Sequence, residues 1–495
     1  MKKMNLLVMS LVSAAALSFS SCSSNDDLAG GGTQSQADGV YMTLKISGAT
    51  SHGTRTGVTN PNTKEDGKPE ESTISNGMLY IYDGNTCVFR KVITADMFET
   101  APSQTGVGKT KPIKVAVTGA ITTNKPYNVY FLANNTTVTD PLATEASFTA
   151  STTGGANFAT ANKFVMFNQN DGTVHANHST VTFTDKAKSE TSPAEAGEIK
   201  LDRVVARIDN PSFAETVTTV TPATDTKTSI NAADVVASIS YEGYAVSNLN
   251  NNSYVKQNWD NNFETLTVKW GEPKYYLPKK DYGTKYKPDG LGNFGIDKWK
   301  YAFENTTTNV DEATAVYFKV KATLKEAAKN ASDFGDDTFY RYDGRLYTSI
   351  QAIYNDAATG AISNPFTETN SITPADVVKK IKDATTNKLT TNEDKLAEFR
   401  ETYKIEVYRE GVMYYRWAIS DNAYKPFVAS GTPHTYSVLR NSIYRLTVTK
   451  VSEIGKDVPN GPEPDDPDKN PNFYMNVKVS INPWVLNEIN NIELK

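Results

Sequence analysis

Apolar and polar residues alternate at both ends of the chain. Near the front, Val40, Met42, Leu44 and Ile46 are interleaved with Tyr41, Thr43 and Lys45. That is the period-two pattern of a strand with one buried face. Near the back, Met475, Val477, Val479 and Ile481 alternate with polar residues in the same way. Between them run segments of strand length: Met78–Tyr82, Cys87–Ile93, Ile113–Val117, Tyr127–Ala133, Lys163–Phe167 and Val181–Thr184. Asp83-Gly84 between the first two is a hairpin signal. A second series begins at Ile199, where Leu201, Val204, Val205 and Ile208 carry the apolar positions around Arg203 and Arg207. It continues through Val235–Tyr244, Thr265–Trp270, Ala315–Thr323, Tyr403–Tyr408, Val412–Ala418 and Ile443–Val451. Helical signals are few. Thr373-Pro374-Ala375-Asp376 gives an N-cap threonine, a proline at the first helical position and an acid at the third. It introduces Val377, Val378 and Ile381, and Glu393–Tyr403 reads as a second short helix. The pattern predicts an all-β chain of two tandem β-sandwiches, with helical insertions in the second.

The segments outside these sandwiches have a different character. Lys2 and Lys3 precede a short apolar run, Leu6 to Phe19, that ends in Ser20-Ser21-Cys22. This reads as a signal peptide over residues 1–21, with Cys22 placed for lipid attachment. A tether of Gly, Ser, Asp and Gln follows. The leading strand is then separated from the rest by a polar loop, Ser47 to Glu71. Arg55 in that loop is the first arginine of the chain and is followed by Thr56. Polar, glycine-containing loops are where proteases cut. Residues 22–55 therefore form a lipidated leading segment with a removable strand, 56–198 the first sandwich and 199–458 the second. An acidic, proline-broken linker, 459–472, leads to a tail, 473–495. Taken alone, the tail reads equally as the last strand of the second sandwich. The linker argues that it is detached, because it is extended and self-repelling. Pro483-Trp484 is expected to break its ladder after Ile481, and Leu486 adds a further apolar anchor.

With 495 residues the chain is too long for one ordinary core. Its 26 Tyr against 4 His, and its richness in Thr and Val, favour strands. A formal net charge of −5 argues against a nucleic-acid partner, which needs a basic face. Only Cys22 and Cys87 are present, so the mature chain carries no disulfide framework. Ser103 to Thr110 approaches a phosphate-binding loop, but Ser103 stands where glycine is needed, and Pro112 with alternating Ile113, Val115 and Val117 puts a strand where a helix is required. His175 and His178 lie close together without further ligands at zinc spacing. No nucleophile elbow is present. The reading is of a protein without enzymatic activity, cofactor or metal.

The order of these features resembles the Bacteroidales fimbrillins, the shaft subunits of type V pili, and most closely the major subunits of short, Mfa-type fimbriae. The residues that carry the resemblance are the Cys22 lipidation site with its strand and arginine site, Leu201–Ile208, Tyr415-Arg416-Trp417, Arg440-Asn441-Ser442-Ile443-Tyr444, and the tail Phe473–Lys495 with Pro483-Trp484. Ser23-Ser24-Asn25-Asp26-Asp27 resembles the tag that sends such lipoproteins to the outer face of the outer membrane. The resemblance implies transthyretin-like or immunoglobulin-like sandwiches and a lipoprotein precursor anchored to the outer membrane. It implies cutting by an Arg-specific protease after Arg55, so that the mature chain starts at Thr56. It implies loss of the strand with Val40, Met42, Leu44 and Ile46. A neighbouring subunit's tail, with Met475, Val477, Val479, Ile481, Trp484 and Leu486, then fills the groove by strand addition. The partners implied are further copies of the chain, accessory tip and anchor subunits, and the protease. Two other readings fit the residues: a monomeric surface lipoprotein that binds glycan or host protein through its aromatic residues, and a fimbrial tip adhesin.

Overall fold

The computed structural model describes residues 39–48, 65–100, 107–116, 121–142, 147–149, 158–169, 178–213, 231–250, 252–256, 294–296, 299–307, 310, 313–366, 372–419, 436–459 and 475–485. Strands dominate, and they sort into two cores plus a small helical one. The first core is built on a large mixed sheet. Its path runs Thr86–Ile93, Gly77–Asp83, Pro126–Ala133, Met166–Asn168, Ile199–Arg203, Lys45–Gly48, Val107–Thr110 and Phe98–Thr100, with Ser179–Thr182 also on Pro126–Ala133. A three-stranded sheet, Ala194–Glu195, Gly39–Thr43 and Ile113–Ala116, completes it. The hairpin expected at Asp83-Gly84 is present, with Gly84 at φ +58° in a left-handed turn that glycine enters without strain. Gly77–Asp83 does not alternate: Leu79, Tyr80, Ile81 and Tyr82 are all fully buried because this central strand is covered on both faces.

The second core lies between two further sheets. One has the order Trp299–Ala302, Ala206–Asp209, Ser442–Val451, Met475–Val485 and Glu65–Asp66, with Ser212–Phe213 also on Ser442–Val451. The other pairs Val236–Ser247, Ala315–Leu324 and Val412–Ala418. Phe318, Val320, Tyr408, Trp417, Tyr444 and Leu446 fill the space between them. A separate small core, with Tyr340, Ile350, Ile353, Val377, Ile381, Leu396 and Phe399, holds the insertion: three short strands and the helices Ile350–Ala358, Pro374–Ile381 and Glu393–Tyr403. Both helices expected from the sequence are there. Thr373 caps its helix by accepting from the Asp376 N–H at 3.3 Å, and the Asp376 carboxylate accepts from the Thr373 N–H at 3.2 Å. Tyr403 ends its helix as expected, but the strand expected to begin there starts only at Glu406.

Two expectations change. Ile199–Arg203 does not open the second unit: it is hydrogen-bonded between Met166–Asn168 and Lys45–Gly48 in the first sheet. Ile199, Leu201, Val204 and Val205 belong to the first core, Ala206 and Ile208 to the second. The passage from one core to the other therefore falls between Val205 and Ala206, not before Ile199. Likewise the stretch up to Glu71 is not all polar loop. Pro69–Ser72 is a short helix whose Glu71 carboxylate accepts from the Lys68 N–H, and Glu71 is completely buried.

Candidate functional site

The leading strand is an internal strand, held on both sides. Gly39–Thr43 pairs antiparallel with Ile113–Ala116 and parallel with Ala194–Glu195. At Leu44 the chain passes to the large sheet, where Lys45–Gly48 lies between Val107–Thr110, antiparallel, and Ile199–Arg203, parallel. The crossing is stitched by two bonds to one residue: the Leu44 N–H donates to Thr110 Oγ1 at 2.9 Å, and the Thr110 N–H donates to the Leu44 carbonyl at 3.0 Å. Val40, Met42, Leu44 and Ile46 all point into the first core and are essentially inaccessible. Their burial contributes about 1.5–3 kcal/mol each as an upper bound. Taking this segment out leaves a groove with unpaired backbone on both walls, which only another extended segment can satisfy.

The tail strand Met475–Val485 does not stand apart from its own chain. It pairs antiparallel with Ser442–Val451, in a register from Met475 opposite Val451 to Pro483 opposite Ser442. Met475 is buried in the second core. The ladder also runs past Ile481, contrary to the break expected at Pro483-Trp484. Proline is tolerated because it sits where pairing with Ser442 ends, so its missing N–H interrupts nothing. At Trp484 and Val485 the partner changes: these residues pair parallel with Glu65 and Asp66. The linker beyond Pro459, and Cys22, Arg55, Thr56, Leu486 and Thr265–Trp270, lie outside the described residues.

Behind Glu65–Asp66 the chain is fastened by a buried charge cluster. The Glu71 carboxylate accepts from Arg207 Nη1 at 3.0 and 3.1 Å, from the Tyr301 hydroxyl at 2.9 Å and from the Lys68 N–H at 2.9 Å. Arg203 donates to the Glu71 carbonyl at 2.9 Å and to Ser72 Oγ at 3.0 Å. The Lys68 ammonium lies 3.4 Å from the Trp299 ring centre. Asn441, in the turn before Ser442–Val451, donates to Asp202 at 2.7 Å and so joins the first sheet to the second. Burial pushes the Asp202 carboxyl up to about 7, against the pull of Arg440 and Arg203. Sequence reasoning missed this cluster. The available signal was Pro69 followed by Glu71, a proline–acid helix start inside an otherwise polar stretch.

Other candidates carry less. Among the described residues no group of three or more His, Cys, Asp or Glu is arranged to hold a metal ion. His178 lies against the Tyr130 ring. An open cleft of about 860 Å³ in the helical insertion is lined by Asp333, Gln351, Lys379, Lys382 and Lys395 among others. Its lysines are exposed or half-buried, and Asp333 already accepts from the Tyr340 hydroxyl at 3.0 Å and the Ile350 N–H at 2.9 Å. Among the described residues Tyr354 is the one aromatic that counts as exposed, which offers a poor platform for stacking sugars.

Comparison with known proteins falls on the tail and its partner strand. Residues 406–490 match the family described as the major fimbrial subunit protein type IV, fimbrillin, C-terminal. The C-terminal region is thus similar to that of fimbrillins. The matched span takes in Val412–Ala418, Ser442–Val451 and the tail strand, so the similarity includes both the tail and the strand on which it docks. No curated protein sequence matches the chain. Among solved structures, the chain is similar to a fimbrilin, FimA, of Porphyromonas gingivalis, with 14% identity over 90% of this chain and 98% of that one and a TM-score of 0.41. It is similar to a putative cell adhesion protein of Parabacteroides distasonis at 11% identity, 90% and 99% coverage and a TM-score of 0.44. It is also similar to the tip fimbrial protein Mfa3 of P. gingivalis, at 12% identity, 90% and 100% coverage and a TM-score of 0.34.

Proposed function

We propose that the chain is a structural shaft subunit of a cell-surface fimbria, made as an outer-membrane lipoprotein and polymerised by strand exchange. The observation that carries this reading is the leading strand: four buried side chains in an internal position, joined to the rest of the fold by the residues that contain Arg55. In the proposed sequence of events Cys22 carries the lipid, an Arg-specific protease cuts between Arg55 and Thr56, and the leading strand departs. The tail of the next copy, from Met475 through Val477, Val479 and Ile481 to Trp484 and Leu486, enters the vacated groove. The fimbrillin match over the tail supports its role as the donor. Each subunit then presents one acceptor and one donor, a heterologous contact that grows into a filament and does not close. Accessory tip and anchor subunits complete the fibre, which serves adhesion or biofilm formation.

The test is N-terminal sequencing of protein sheared from cell surfaces, paired with removal of residues 473–495. The expected result is a start at Thr56 in a high-molecular-weight fraction and loss of that fraction from the truncated chain. A lipidated Cys22 on a monomer, or polymers that persist without the tail, overturns the shaft assignment. Val477→Asp with Val479→Asp is expected to stop growth in the same way, by making the tail's alternate positions charged.

A further inference from the structure

One turn of the second sheet is bonded across to the first. Asn441, at φ +55° just before Ser442–Val451, donates its N–H to the Val205 carbonyl at 2.9 Å and its Nδ2 to Asp202 Oδ1 at 2.7 Å, and its Oδ1 accepts from the Arg203 N–H at 3.3 Å. Arg440 beside it donates to Glu304 Oε2 at 2.8 Å and to the Tyr254 and Val255 carbonyls at 2.8 and 2.9 Å. Val255 and Phe303, the neighbour of Glu304, both pack into the first core. Asp202 is the polar weak point of this seam. It is 2% exposed, its Oδ1 accepts from Asn441 and, at 3.4 Å, from Gln169 Nε2, and its Oδ2 has no hydrogen-bond partner among the described residues. An ionised carboxylate can accept about four hydrogen bonds, and burying one with an oxygen unserved is costly. The charged groups around it do not remove that cost. Arg203, on the same strand, donates to the Glu71 carbonyl, Ser72 Oγ and Asn441 Oδ1. Arg203 and Arg440 attract the ionised form, Glu304 repels it, and burial outweighs the attraction. Of the two flanking strands, Met166–Asn168 is followed by neutral Gln169, and Lys45–Gly48 sends Lys45 to Glu198 at the surface.

We propose that Asp202 is a pH-sensitive latch on the seam between the two cores, closed while its carboxyl is protonated and loosened once it ionises. Opening the turn at Arg440 and Asn441 admits water to the carboxyl. The open state therefore holds a proton less tightly than the closed one, and rising pH favours opening. Closure has its full advantage below the ordinary carboxyl value of 3.8 and loses it as pH rises through about 7, where burial holds the closed carboxyl. Within that window opening gains up to about tenfold per pH unit, and above it the gain levels off. The opening is local. It parts the bonds of Asn441 to Asp202, Val205 and Arg203 and leaves the buried Glu71–Arg207 pair as a second tie. The latch belongs to the single chain and is independent of whether copies polymerise.

The experiment is amide hydrogen exchange of the full chain, read by mass spectrometry at about pH 5 and about pH 8 and corrected for the intrinsic pH dependence of exchange. The expected result is a fall in the protection of residues 438–444 of at least about tenfold between the two. Residues 438–444 are also expected to be less protected than Gly77–Asp83 at the higher pH, since a local opening exchanges ahead of the whole core. Asp202→Asn, which keeps the shape and cannot ionise, is expected to show no such fall. Asn441→Gly, which suits the left-handed turn and lacks the bond to Asp202, is expected to leave residues 438–444 poorly protected at both pH values. Unchanged protection in the parent overturns the latch. So does a full pH response in either variant. Equal protection in residues 438–444 and Gly77–Asp83 at the higher pH also overturns it, because the opening is then that of the whole first core.

Discussion

Leu44 and Lys45 are neighbours on the leading strand, and replacing each by alanine should give opposite results. The Leu44 side chain is 0% exposed in the first core, whereas the Lys45 side chain is 54% exposed and meets Glu198 at 3.1 Å across a solvated surface. Leu44→Ala keeps both backbone bonds to Thr110 and deletes only the isobutyl group, so its cost is lost transfer energy plus the cavity left behind, about 2–5 kcal/mol. The upper half of that range applies, because strands on both sides of Lys45–Gly48 keep the walls from collapsing inward. Lys45→Ala removes one screened ion pair, about 0–1 kcal/mol. Against a domain stability on the order of 5–15 kcal/mol, the first change is large and the second marginal. The readout has to be local. Trp417 is packed in the second core, so its emission does not report on the first. Hydrogen exchange of Gly77–Asp83 and Pro126–Ala133 in the full chain over a urea series follows the first core instead. Equal losses from the two variants, or a loss below about 1 kcal/mol for Leu44→Ala, would refute the reasoning. Either would mean that the leading strand is not a cooperative part of the core.

Three further outcomes are expected. Gly411→Ala should destabilise the packing around the second core by at least about 2 kcal/mol, because Gly411 has φ +81° and an added Cβ would sit 1.9 Å from the Ala322 carbonyl oxygen. Trp417 emission during urea unfolding measures it, and an unchanged midpoint counts against the packing there. Thr373→Ala should cost the insertion about 1 kcal/mol by removing the cap of Pro374–Ile381, with Thr373→Ser restoring it; exchange rates along that helix are the check. Asp202 gives a pH dependence. Its carboxyl is raised from an ordinary 3.8 to about 7 by burial, so the folded state binds a proton that the unfolded state does not. The stability from that proton is fully present below 3.8 and lost as pH rises through about 7. Asp202→Asn should flatten this loss between about pH 4 and about pH 7. Identical urea midpoint profiles for parent and variant would contradict it.

What the sequence made legible, and what it hid, divides along one physical line. Signals written in a residue and its near neighbours came through. The alternation of Val40 to Ile46 placed four side chains in the core, Asp83-Gly84 made its hairpin, and Thr373 to Asp376 capped its helix. Choices of backbone partner did not, because ladder bonds join N–H and C=O groups that every residue carries. Leu201, Val204, Val205 and Ile208 read as one apolar run, yet the chain leaves one core for the other between Val205 and Ala206. The pattern is equally apolar in either sheet, and the division is made by distant groups, among them Asn441 bonded to Asp202. The tail shows the same thing with more consequence. Its alternation correctly marks a strand and is silent about which edge receives it. A strand able to serve two edges must be readable as a strand and unspecific as to partner. The ambiguity that made the tail's docking on Ser442–Val451 unreadable is then the property that would let it exchange. Partner choice comes from outside the strand, and in this structure Ser442–Val451 and Glu65–Asp66 supply it.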